Sequence, residues 1–153
     1  MSDPFDPGRE SGLFDPGRES ALFDPGRYRS LFYLAGAWNL SAAAVALGFP
    51  EFHAQMLYGE SESLSSPAAV INARIVWLSV AFFGVGYLIV ARDPSKNHGL
   101  VLIAALGKAS VGALWLWGYR AHEVAGLGLA GAIGDLAFAG LFAAFLLRAR
   151  STP

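Results

Sequence analysis

The fold class this sequence predicts is all-α: a four-transmembrane-helix antiparallel bundle behind a flexible N-terminal repeat tail. Three observations predict it. Four long apolar blocks dominate a chain of 153 residues that is 54% hydrophobic and 15% charged. Within the blocks the apolar residues run on without the spacing that would leave one polar face, which is the pattern of helices in lipid rather than of a water-soluble core. The last two blocks, joined by a turn at residues 120–123, each carry one charge near the middle, Lys108 and Asp135.

Residues 1–29 form the tail. It holds three copies of a nine-residue unit, FDPGRESGL from Phe5, FDPGRESAL from Phe14 and FDPGRYRSL from Phe23. Asp-Pro-Gly favours a bend, because Pro presets φ and the following Gly accepts a positive one. One Phe and one Leu per copy bury too little surface to offset chain entropy, so the tail is expected to be mobile unless bound. Two readings stay open: a tandem duplication in an unconstrained segment, or a multivalent docking segment that presents Phe5, Phe14 and Phe23 to a protein partner.

Residues 30–150 form the membrane domain, with helices expected at about 30–49, 68–91, 99–119 and 124–147. At about 1.5 Å per residue, some 20 residues cross the ~30 Å hydrocarbon core. The first helix carries Asn39 at its midpoint, with Gly36 and Ala43 on the same face for close packing. A cleaved leader is disfavoured, since 29 residues containing acids make a poor n-region. A polar loop is expected from Pro50 to Pro67. The second helix carries Arg74 two turns inside its start, where its long stem is expected to snorkel to the near interface. A short basic turn, RDPSKNH, leads into the third helix.

Lys108 lies 14 residues before His122 and Asp135 lies 13 residues after it, so an antiparallel hairpin sets the two charges at one height. A lone charge at the bilayer centre costs at least ~3 kcal/mol, and opposite charges at one depth are best explained by pairing. Asn39 falls near the same level. Lys108, Gly112, Trp115 and Tyr119 form one stripe, and Gly128, Gly131, Asp135 and Ala139 another, with the glycines allowing close approach. The candidate polar centre is therefore Lys108, Asp135 and Asn39, with Arg74 as a secondary candidate.

Several functions are excluded or disfavoured. A formal net charge of −1 gives no basic field for nucleic acid. The absence of cysteine removes disulfides, iron–sulfur ligation and thiol redox chemistry. His53, His98 and His122 fall in loops or at segment ends and are expected in interfacial water, not as haem ligands within the bundle. No two histidines or carboxylates share a ligand spacing on one face, so neither a metal nor a cofactor is expected. Basic residues near the helix ends, Arg27, Arg29, Arg92, Lys96, Arg148 and Arg150, outnumber Arg120 and Arg74 opposite, which predicts cytoplasmic termini. Aromatic belts are expected from Tyr28, Phe32 and Tyr33 at the inner edge and from Trp115, Trp117 and Tyr119 at the outer edge.

The segments WNLSAAAVA, FGVGYLIVARDPSKN, GLVLIAALGKASVGALW and GDLAFAGLF, covering most of residues 38–142, resemble bacterial four-helix inner-membrane proteins of uncharacterised function. More distantly the chain is similar to DoxX-like proteins. That resemblance implies four membrane helices in a bacterial inner membrane and, for some members, an association with quinone-linked sulfur oxidation. It carries no site residues across. Small multidrug transporters are similar in size but place a carboxylate in the first helix, where this chain has Asn39.

The expected role is a non-enzymatic accessory or binding subunit in contact with membrane lipid and, through its repeats, with a protein; self-association is left open. The alternatives are a proton-coupled carrier or a lipid- or quinone-binding protein using Lys108 and Asp135, and a quinone-linked redox subunit of DoxX type.

Overall fold

Small residues line the close helix contacts of this bundle and many large apolar ones cover its outside. Ala35, Gly36, Ala43 and Ala46 are buried on one helix and Ala104, Ala105 and Gly112 on another, while Leu34, Phe82, Ile103, Leu114, Trp117 and Ile133 face outward. In water such a surface would be an aggregation hazard; against acyl chains it costs nothing, and helix association then depends on close backbone packing.

The computed structural model describes residues 25–59, 64 and 66–150. It contains α1 (Arg29–Gly48), α2 (Pro50–Tyr58), α3 (Pro67–Arg92), α4 (His98–Arg120) and α5 (Gly126–Arg150), with single 3-10 turns at Pro25–Tyr28 and Pro94–Lys96. All regular structure among the described residues is helical, and α1, α3, α4 and α5 are each long and apolar enough to cross a membrane. The expected four-helix bundle is thus observed.

Local chemistry sets the element ends. Ser66 caps α3, its hydroxyl accepting from the Ala69 N–H at 3.2 Å, and Pro67 follows at the first helical position. Asp93 and Pro94 stop the same helix. At the end of α4 the Glu123 N–H reaches the Gly118 carbonyl and the His122 N–H the Tyr119 carbonyl, a Schellman closure in which His122 takes φ 61°. That closure uses residues 121–125, so α5 begins at Gly126 rather than at the expected 124.

The spanning helices form two antiparallel pairs, α1 with α3 and α4 with α5. Gly36 lies where a Cβ would come within 2.7 Å of Leu88 and 3.2 Å of the Gly84 carbonyl, and Gly112 where one would meet Leu136 at 2.8 Å. Between the pairs, at the end holding the two 3-10 turns, sits an aromatic layer. Phe32 stacks on Phe142 at 5.2 Å and meets Phe145 edge-on at 5.4 Å, and Tyr87 joins Phe142 at 5.5 Å. Phe32 is fully buried, which corrects its assignment to an interfacial belt: its position on α1 points toward α5, not toward lipid.

The polar loop expected over 50–67 is also corrected in part. Its first nine residues are α2, which turns His53, Ala54 and Leu57 inward over the bundle end and bonds to the last turn through the Ala125 N–H and the Leu57 carbonyl at 2.7 Å. Nine residues are too short to span a membrane, so a search for long apolar runs passes over them. Gly59 ends α2 at φ 79°, ψ −148°, a conformation open essentially to glycine alone.

The expected tail falls largely on residues 1–24, outside the described residues, and with it Phe5, Phe14 and Phe23. Its last five residues, 25–29, are helical, and Tyr28 meets Phe145 edge-on at 5.0 Å while accepting from Arg148 at 2.8 Å.

Candidate functional site

Lys108 lies on the stripe of α4 that faces the other helices, one turn beyond Ala104 and one before Gly112, and is 5% exposed. Its ammonium donates to Asp135 Oδ1 of α5 at 2.5 Å and to Asn39 Oδ1 of α1 at 3.0 Å. The Asn39 amide in turn donates to the Val80 carbonyl of α3 at 3.3 Å. One chain of hydrogen bonds therefore joins all four spanning helices at mid-height. The ammonium also lies 5.3 Å from the Phe138 ring centroid and 5.8 Å from that of Tyr87, where the π faces offer further negative potential. An Arg or Lys taken out of water needs such saturation; here the carboxylate, the amide oxygen and the rings supply it.

The depth coincidence of Lys108, Asp135 and Asn39 was legible from residue counting. Trp38 was not part of that count. It packs over Gly134, where a Cβ would come within 2.6 Å of its ring, and meets Phe138 at 6.2 Å, shielding the centre beside Asp135. Hydroxyls elsewhere in the apolar helices turn back on their own backbone: Ser41 donates to the Trp38 carbonyl and Ser79 to the Ile75 carbonyl.

A second feature lies at the α2 end. A cavity of about 280 Å³ opens there between α1, α2 and α3, with Trp115 of α4 on its far wall. Arg74, the secondary candidate, lines it together with His53, Tyr58, Asn72 and Trp77. Neither Lys108 nor Asp135 is among the lining residues.

His53 is the correction that matters here. It was expected in interfacial water, yet it is buried on the inner face of α2 with its ring edge-on to Trp77 at 4.5 Å, and burial lowers its pKa. The same burial raises the Tyr58 pKa. His53, Ala54 and Leu57 share one face of PEFHAQMLY, a spacing that carries information only once the segment is helical. His98 and His122 remain exposed, as expected. Asp93, outside the bundle, has its pKa lowered by hydrogen bonds from Ser95 and Lys96. Among the described residues no group of three histidine or acidic side chains is placed to hold a metal ion.

Fold and site together define a small membrane protein built as a four-helix bundle around a buried ion pair. The chain matches no protein-family model, no curated protein and no solved structure.

Proposed function

We propose that this protein is a non-enzymatic accessory or binding subunit of a bacterial inner membrane, in which Lys108, Asp135 and Asn39 act as a structural lock between the two helix pairs. One observation carries this reading: every member of the centre has a partner, and the partners lie on four different helices. A proton carrier needs a carboxylate that exchanges its counter-charge and a route to water. Asp135 is instead held by an ammonium that is itself held by Asn39. Both termini are assigned to the cytoplasm, because Arg27, Arg29, Arg92, Lys96, Arg148 and Arg150 gather at the end where the two 3-10 turns pack together. A periplasm-dependent reporter near Ser63 should then be active and one after Pro153 inactive.

The test of the lock is proton flux. Proteoliposomes containing the full chain and an internal pH dye, under an imposed membrane potential, should show no flux above that of lipid alone. A flux abolished by Asp135→Asn would refute the lock and favour the second reading, a proton-coupled or ligand-binding centre. The observation favouring that alternative is the exposure of the Asp135 side chain, 15% against 5% for Lys108. The quinone-linked redox role rests on family resemblance alone. The FDPGR repeats are proposed as the protein-docking segment, and a chain starting at Pro25 should keep its fold and lose that partner.

A further inference from the structure

The cavity at the α2 end is lined by polar side chains whose hydrogen-bonding capacity is unused, among them Arg74, which is exposed, and His53, which is buried. Arg74 sits seven residues into α3, about 10 Å along the helix at ~1.5 Å per residue. Among the described residues it makes no ion pair or hydrogen bond, in contrast to Lys108, which has both. His53 is 7% exposed, and its ring nitrogens have no hydrogen-bond partner among the described residues. Buried polar groups in folded proteins are nearly always paired, so an imidazole left unpaired on a cavity wall points to a missing partner. The two groups share that wall: Arg74 and Trp77 are one turn apart on α3, and His53 lies edge-on to Trp77.

The rest of the lining, Tyr58 and Asn72 apart, sets the other half of the ligand. Ala46, Leu57, Val70, Val76 and Trp115 offer apolar contact and no charge. A guanidinium is permanently cationic and its planar fork matches carboxylate or phosphate oxygens. We propose that this cavity binds the acidic head of an amphiphile, a carboxylate or phosphate carried on an apolar chain, with Arg74 as counter-charge and His53 as hydrogen-bond partner. Burial keeps His53 neutral near pH 7, so it adds a directed N–H without a second cation. The position of Arg74 within a spanning helix places the head below the membrane surface, where an amphiphile already in the bilayer can enter. The site shares no residue with the Lys108 centre, so it stands or falls independently of the lock.

The test compares head groups on one chain length. Full-length protein in dodecyl maltoside is titrated with dodecanoate, dodecyl phosphate and dodecyltrimethylammonium, read by tryptophan fluorescence, since Trp77 and Trp115 line the cavity. Both anions should give a saturable change and the cation none. Arg74→Met should weaken anion binding at least tenfold, and His53→Phe, which keeps the edge-on packing, several-fold. A response to the cation equal to that of the anions, a response that never saturates, or unchanged affinity in both variants would overturn the site. If Arg74→Met does not fold, the head-group comparison and His53→Phe decide. In phosphatidylcholine nanodiscs, saturable binding of phosphatidylglycerol assigns the head to a phospholipid, and binding of dodecanoate alone assigns it to a free single-chain acid. Binding of neither overturns the proposal.

Discussion

Removing both charges of the Lys108–Asp135 pair together should destabilise the bundle about as much as removing either one alone, and far less than the two single effects added. Lys108→Met leaves two acceptors without their donor, the Asp135 carboxylate and the Asn39 amide oxygen. Asp135→Asn is milder, because asparagine keeps an acceptor oxygen and Lys108 keeps Asn39. Lys108→Met is expected to cost about 4 kcal/mol and Asp135→Asn about 3 kcal/mol, in the range found for broken buried pairs. The double variant removes both desolvation penalties and should cost about 3 to 4 kcal/mol rather than the ~7 of the sum, a coupling of roughly 3 kcal/mol. Reversible unfolding in mixed dodecyl maltoside and SDS micelles, followed by far-ultraviolet circular dichroism, measures all four corners of the cycle. Effects that add to within about 0.5 kcal/mol would refute the pairing, and with it the lock.

Three further outcomes follow from particular contacts. His122 occupies the left-handed position that closes α4, so His122→Gly should stabilise by about 0.5–1 kcal/mol in the same unfolding assay, and a loss of stability would refute the strain argument. Gly112→Ala places a methyl 2.8 Å from Leu136 and 3.1 Å from the Ala132 carbonyl, and should cost about 1–3 kcal/mol by parting α4 from α5. Because burial lowers the His53 pKa below its ordinary 6.5, the unfolded chain binds a proton that the folded chain refuses. The folded state is therefore unpenalised above pH 6.5 and loses stability as pH falls below it; the Tm of wild type relative to that of His53→Phe should fall between pH 7.5 and 5, and a constant difference would count against its burial as neutral imidazole.

The primary structure by itself determined the class of fold and the height of its central charges. Continuous apolar runs of spanning length leave a chain few choices but lipid, and an antiparallel hairpin ties depth to residue number, so counting from His122 was enough to set Lys108 opposite Asp135. Asn39 was legible for the same reason. Lateral position was not. Residue number gives height along a helix, but which helix lies beside which depends on how small and large side chains interlock across several elements at once. That is why Phe32 turned out to be core rather than belt, and why Trp38 closes over Gly134. Nor could the sequence reveal α2 as a plug: nine residues form a helix there because the bundle end gives His53, Ala54 and Leu57 something to pack against, and an isolated helix of that length is marginal. The cavity beside Arg74 has that plug as one wall, and its other walls come from three spanning helices whose lateral arrangement only the folded bundle sets.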